Sequence, residues 1–303
     1  MMKKFAAMLL TGVMAVSLAA CGGSTGASGT DTAAEDSAEE TVAEEEAAPE
    51  ADAAETEAAP AADAAVDAEF IVGFDAEYPP YGYLDMETND YTGFDLELAQ
   101  EVCNRRGWTL VKKPINWDNK DAEIDSGSID CIWNGMTYTG REELYTWSRP
   151  YVNNSIVMCV MADSDIQSLA DLAGKIVITQ TDSSAQTALE GEELADLTAS
   201  FAKLELNPSY NTCFQDMMTG AVDAIAVDIG VAQYQMKNNP DKFRILGEEV
   251  SKEQYAIAFK LGNEELRDQV QETYDEMLAD GTVMEIAQHY AEDNLPEMLI
   301  TEK

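Results

Sequence analysis

Ser126-Gly127-Ser128-Ile129-Asp130-Cys131-Ile132 returns later in the chain as Thr219-Gly220-Ala221-Val222-Asp223-Ala224-Ile225. In both copies a glycine suits the left-handed cap of a helix, and an aspartate then turns the chain into an apolar strand. The echo implies two lobes of similar architecture rather than one continuous sheet. Strand-like runs surround it, over 70–74, 129–133, 155–161, 175–179, 222–227 and 255–259. Between them the helical period takes over. The stretch 93–106 predicts a helix with Phe94, Leu98, Val102 and Cys103 on one face and Gly107 as its stop. Near the C-terminus Asn263 reads as the cap of a helix through Leu278, which Asp280-Gly281 ends. Thr282-x-x-Glu285 reads as a capping box for a last helix. Alternating strands and helices predict α/β layers with largely parallel sheets.

Ahead of this folded part the chain has a different character. Lys3-Lys4, an apolar run over 5–19 and Leu18-Ala19-Ala20-Cys21 are the parts of a secretory signal. The run is shorter than the roughly 20 residues that span a bilayer. The small residues before Cys21 resemble a bacterial lipobox, so 1–20 is expected to be a cleaved lipoprotein signal and Cys21 the lipidated residue. From 22 to 67 there are fourteen acidic residues, no Lys or Arg and no aromatic residue. Such a stretch has too little apolar surface to offset the entropy of ordering. The segment 21–68 therefore reads as the lipidated Cys and a disordered acidic tether.

The whole chain carries 58 acidic and 18 basic residues, a net charge of −40. Setting aside the tether's fourteen acids, with Lys3 and Lys4, leaves 44 against 16. A field of that sign repels nucleic acid and anionic lipid, so neither is an expected ligand. Cys103, Cys131, Cys159 and Cys213 sit at irregular spacing inside apolar stretches and read as buried free thiols rather than disulfide partners. There is no C-x-x-C pair, and His289 is the one histidine. His-based triads and multi-His metal sites are thereby excluded. No cofactor and no metal is expected.

In open α/β sheets, ligands lie beyond the carboxyl ends of the strands. The first strand leads to Asp75 and Tyr78-Pro79-Pro80-Tyr81, and the second to Asn134-Gly135-Met136-Thr137 and Arg141. The strand near Lys175 leads to Gln180 and Ser183-Ser184-Ala185-Gln186, and the one near Val222 leads to Asp228. A guanidinium grips a carboxylate through parallel hydrogen bonds, amides opening a helix add donors, and Asp228 and Asp75 offer acceptors for an ammonium. Tyr78 and Trp117 offer faces for a side chain. That inventory suits an α-amino acid. Plainer readings stand beside it: Arg141 as a surface partner of Glu142 or Glu143, Asp228 and Ser183 as simple helix caps, Tyr78 as part of a rigid turn and Trp117 as core.

Several further segments carry a resemblance. Gly73-Phe74-Asp75-Ala76-Glu77-Tyr78-Pro79-Pro80-Tyr81, Gly93-Phe94-Asp95-Leu96, Gly127-Ser128-Ile129-Asp130, Gly135-Met136-Thr137 running to Arg141, and Trp147-Ser148-Arg149-Pro150-Tyr151 form the first set. Asp171-Leu172-Ala173-Gly174-Lys175, the run from Gln180 to Ala185, Gly220-Ala221-Val222-Asp223 with Asp228, and the run from Asn263 to Gly281 form the second. In this order and spacing the chain from about Phe70 to Glu297 resembles the polar amino-acid branch of the bacterial extracellular solute-binding proteins, family 3. The resemblance implies a two-lobe, type II periplasmic-binding-protein-like fold. Lobe one would be 69–150 with 256–303, lobe two 156–250, and the crossing hinge segments 151–155 and 251–255. It places Arg141, Thr137, Gly135 and the Ser184 amide on the ligand's α-carboxylate, and Asp228 and Gly135 on its α-amino group. Tyr78 and Trp117 would stack on the side chain, with Asp75 and Gln180 near its polar end and Ser183 in the same wall. Thr137 and Arg141 are one residue closer than the family pattern, and Asp182 stands where glycine is commoner.

The expected function is that of a monomeric, lipid-anchored receptor on the extracytoplasmic face of the cell membrane. It would capture a free, polar amino acid and deliver it to an ABC permease and ATPase complex. An amino-acid-sensing surface protein and a dehydratase-like enzyme on the same fold are the competing readings. Among ligands, the cleft residues favour polar or cationic side chains over acidic ones.

Overall fold

The computed structural model describes residues 68–302. The expected signal segment at 1–20, Cys21 and the tether through residue 67 lie outside the described residues.

The chain opens with strand β1 (Glu69–Phe74) and a small antiparallel sheet, β2 (Glu77–Tyr78), β3 (Gly82–Asp85) and β4 (Asp90–Thr92). Helix α1 (Phe94–Arg106), β5 (Thr109–Pro114), α2 (Lys120–Ser126), β6 (Cys131–Ile132) and β7 (Thr146–Trp147) follow. The chain then leaves along β8 (Val152–Met161) into β9 (Ile176–Gln180), α3 (Ser184–Glu190), α4 (Ala195–Ser200), β10 (Lys203–Asn207), α5 (Tyr210–Thr219), β11 (Ala224–Asp228) and α6 (Ile229–Asn238). It returns along β12 (Phe243–Tyr255) to β13 (Ala258–Phe259), α7 (Glu264–Asp280), α8 (Thr282–Gln288) and α9 (Leu295–Met298). Two five-stranded sheets result, ordered β5-β1-β6-β13-β7 and β10-β9-β11-β8-β12. In each, one strand pairs in parallel with two neighbours, β1 with β5 and β6, and β9 with β10 and β11. The strands that carry the chain out and back, β8 and β12, pair antiparallel from Val152↔Tyr255 to Met161↔Phe243.

The sequence echo corresponds to one structural device built twice. Gly127 ends α2 at φ 74° and Gly220 ends α5 at φ 75°, the left-handed conformation that glycine adopts without a Cβ penalty. Asp130 then receives the Ile71 N–H on Oδ2 at 2.7 Å while its own N–H reaches Ile71 O at 2.8 Å. Asp223 makes the same pair with Ile176, at 2.7 and 2.8 Å. Each aspartate thus ties a helix exit to the strand of its own sheet that has parallel neighbours on both sides.

Burial follows the apolar pattern. Phe94, Leu98, Val102 and Cys103 of α1 are all buried. Along β8, Ile156, Met158 and Val160 enter one core while Val157 and Cys159 enter another, so its continuous apolar run reflects a strand covered on both faces. Cys103, Cys131, Cys159 and Cys213 are buried free thiols. Burial pushes the Cys103, Cys159 and Cys213 thiols up to about 12, which leaves them unreactive.

Four local expectations need correction. The strand expected over 129–133 shrinks to β6, because Asp130 spends its bonds on Ile71 before the ladder begins. The run 255–259 is two strands: Tyr255 closes β12 in the second sheet and Ala258 opens β13 in the first, the chain changing sheets between them. Asn263 precedes α7 but its side chain makes no capping bond. No capping box opens α8, since Thr282 gives both its N–H and its hydroxyl to Asp280 Oδ1, at 3.1 and 2.6 Å.

Candidate functional site

The carboxyl ends of β1, β6, β9 and β11 converge on one narrow cleft between the two sheets. Tyr78, Trp117, Asn134, Gly135, Thr137 and Arg141 line it from the first sheet's side. Gln180, Ser183, Ser184 and Asp228 line it from the second. Nine of the ten ligand-site residues expected from sequence therefore share one wall system. Asp75 is the exception. It lies behind Gln180, whose Nε2 donates to Asp75 Oδ2 at 2.6 Å, and it faces a separate surface hollow beside Pro208 and Ser209.

Arg141 is half-buried, and its Nη1 has Met136 Sδ at 3.9 Å as its polar neighbour. Among the described residues it takes part in no ion pair. Glu142 instead accepts the Gly140 N–H at 3.0 Å, so the surface-pair reading of Arg141 does not hold. Asp228 occupies the N-cap position of α6, yet its side chain makes no capping bond. Its Oδ1 instead accepts from Asn154 Nδ2 at 2.7 Å and from the Tyr255 hydroxyl. Burial raises the Asp228 pKa, opposed by the bonds from Tyr255, Tyr78 and Asn154. A guanidinium and a carboxylate, from different lobes, thus border the same space.

One expected contact changes role. The Gly135 N–H is donated to Asp95 Oδ2 at 2.6 Å, which leaves its carbonyl rather than its amide for a ligand. The Ser183 hydroxyl is consumed by local structure, accepting from Gln186 N at 3.1 Å and donating to Gln180 O at 2.7 Å. The Gln186 side chain reaches back to accept the Asp182 N–H at 2.7 Å and not that of Ser183. Asp182 holds φ 59°, a left-handed position that glycine adopts more readily. Its carboxylate does not face the ligand space as a free charge, because the buried Lys120 pairs with it across the lobes. The Lys120 Nζ lies 5.3 Å from the Trp117 ring centroid. Trp117 thus carries a neighbouring cation and also lines the cleft.

The rings around the cleft form a tyrosine cluster. Tyr78 and Tyr81 centroids are 5.7 Å apart, Tyr78 and Tyr210 6.1 Å, and Tyr81 and Tyr255 5.2 Å. Tyr78 and Tyr255 share a hydroxyl–hydroxyl bond of 3.2 Å. Burial first, then the negative Asp228, holds the Tyr78, Tyr210 and Tyr255 hydroxyls neutral, with pKa values well above normal.

Glu253 was absent from the sequence-derived set, with Asn154 and Tyr255. Glu253 is 7% exposed, and its Oε1 accepts from Thr137 Oγ1 at 2.9 Å, Asn154 Nδ2 at 2.8 Å and Ser184 Oγ at 3.2 Å. It stands directly opposite Asn154 in the β8–β12 ladder. The available signal was the alternation Lys252, Glu253, Gln254, Tyr255, which puts the glutamate on the same buried side as the tyrosine.

Residues 70–293 match the bacterial extracellular solute-binding proteins, family 3. The L-cystine-binding protein TcyJ of Escherichia coli (strain K12) is 29% identical over 223 residues, 73% of this chain and 81% of TcyJ. The L-cystine-binding protein TcyA of Bacillus subtilis (strain 168) is 30% identical over 222 residues, 72% of this chain and 80% of TcyA. A substrate-binding protein of an ABC uptake transporter from Streptococcus pneumoniae, solved with bound histidine, superposes with a TM-score of 0.69 at 27% identity, covering 73% of this chain and 91% of that one. The two sheets joined by β8 and β12 are thus the type II amino-acid-binding architecture, and these relatives are named for what they bind rather than for a reaction. With the match running from β1 to the approach of α9, the chain belongs to the bacterial extracellular solute-binding proteins, family 3.

Proposed function

We propose that the protein is an extracytoplasmic receptor that binds a free polar amino acid in this cleft and passes it to an ABC permease and ATPase. One observation carries the reading: Arg141 and Asp228, opposite in charge and supplied by opposite lobes, border one cleft. In this reading Arg141, Thr137 and the Ser184 amide receive the ligand's carboxylate. Asp228 and the Gly135 carbonyl receive its ammonium, and Tyr78 and Trp117 enclose the side chain. A ligand bonded to both lobes stabilises the closed arrangement over an open one, with 151–155 and 251–255 as the hinge. Micromolar affinity requires about −8 kcal/mol, within reach of a desolvated bidentate contact, an ammonium–carboxylate contact and aromatic burial.

No helix among the described residues is long and apolar enough to cross a membrane. On the lipobox-like residues before it, membrane attachment is assigned to a lipid on Cys21, with the acidic segment after it as tether. The partners are a free amino acid, the importer and the membrane, with the receptor itself a monomer. L-Cystine, bound by the two curated relatives, and L-histidine, bound in the structural relative, head the ligand panel. Thermal-shift screening of the twenty amino acids and L-cystine tests the assignment. A stabilisation of several degrees by one polar amino acid is expected, and no response from any of them overturns it. Labelled palmitate should be incorporated by the wild type and not by Cys21→Ala.

A further inference from the structure

Asp228 and Glu253 are joined by a single donor. The Asn154 Nδ2 lies 2.7 Å from Asp228 Oδ1 and 2.8 Å from Glu253 Oε1, so two buried carboxylates from β11 and β12 meet across one side chain of β8. No Lys or Arg among the described residues pairs with either. Glu253 also accepts from Thr137 Oγ1 and Ser184 Oγ, both on the cleft wall. Two like charges in so small a buried space do not both ionise readily, and one proton remains with the pair. A cation arriving at Asp228 eases that restraint, because its positive charge lowers the cost of ionising both neighbours.

On the reading that the cleft takes an amino acid, we propose that Glu253 is a second acceptor for the ligand's ammonium group, and that the Asp228–Glu253 pair releases its shared proton to solvent as the ammonium arrives. The exchange balances: a carboxylic acid and an ammonium become a carboxylate–ammonium pair and one solvated proton. Arg141 remains with the ligand's own carboxylate. The arrangement selects neutral and cationic amino acids and disfavours any ligand that brings a further anion to this end.

The other groups around Glu253 leave this exchange to the pair. The Tyr81 and Tyr255 hydroxyls face it and stay neutral. Lys252 and Glu249 of its own strand, and Glu297 of α9, line the outer hollow that Glu253 borders on its far side. Burial, then the charge of Asp228, raises Glu253 to about 7, against the bonds from Asn154, Thr137 and Ser184. The exchange therefore falls in the neutral range, and the sign follows. Below that range the pair holds its proton and competes with the ammonium, while above it the site is already open.

The test is calorimetric titration of the purified protein with the amino acid that the panel identifies, in phosphate and in Tris at pH 7. Enthalpies that differ in proportion to buffer ionisation should report release of about half a proton per ligand. Affinity should rise roughly tenfold from pH 6 to pH 8. Glu253→Gln, which keeps an oxygen acceptor for Thr137 and Asn154, should abolish both effects. Equal enthalpies in the two buffers, or a pH dependence unchanged in Glu253→Gln, overturns the inference while leaving amino-acid binding intact. Failure of every amino acid and L-cystine to bind overturns the functional reading and this inference together.

Discussion

Gly135 shows how tightly single residues are specified around the cleft. It holds φ 56°, and a Cβ there would lie 2.8 Å from Tyr78 Cε1 and 3.1 Å from Tyr255 Cε2. Neither ring can retreat freely, since their hydroxyls bond each other and Tyr255 also bonds Asp228. Gly135→Ala should therefore weaken ligand binding by roughly tenfold or more and cost about 1–3 kcal/mol of stability. Calorimetry and urea unfolding read the two effects, and unchanged affinity would show that the tyrosines do not shape the site. Residues such as Arg141 and Asp228 were legible in the sequence because each follows an apolar strand, where ligands gather. Glu253 was not, since its meaning depends on lying opposite Asn154 in a ladder between distant segments. The Ser183 side chain follows the plainer reading, that of a helix cap, while the residue itself lines the cleft.

At the scale of elements, the helix–Gly–Asp–strand device was the most readable part of the chain. Its two copies make matching bonds to Ile71 and Ile176, so matching losses are expected. Asp130→Ala and Asp223→Ala should each destabilise by about 1–3 kcal/mol, because each leaves a strand N–H without its partner. Chemical unfolding measures this, and a near-neutral effect at one site would mean the two devices are not equivalent. The terminal helices were harder to read. Thr282 and Glu285 have the spacing of a capping box, but Asp280 lies closer and takes both groups of Thr282. The break within 255–259 was invisible in the sequence because both halves are buried, one in each sheet. Periodicity reports burial and does not say in which sheet a residue is buried.

The whole molecule concentrates buried acids at the junction of its lobes. Asp95 is raised to about 7 by burial, and Asp75, Asp228 and Glu253 are raised for the same first reason. Such groups hold protons more tightly folded than unfolded. Stability therefore falls as pH rises from the ordinary carboxylate range through about 7. The urea midpoint without ligand should be higher near pH 5.5 than near pH 8, and the opposite order would contradict the burial assigned to these carboxyls. The lobes also meet through direct bonds. Gln180 donates to Asp75, Lys120 pairs with Asp182, and Lys237 reaches Asp293 at 2.6 Å. What these contacts surround is a cleft bordered by a cation from one lobe and an anion from the other. Calorimetric titration of Arg141→Met, beside the wild type and with the amino acid that stabilises it most, tests that clamp directly. A loss of affinity of about 100-fold or more is expected, the scale of a truncated buried charge contact, whereas affinity within a few-fold of the wild type would contradict the account.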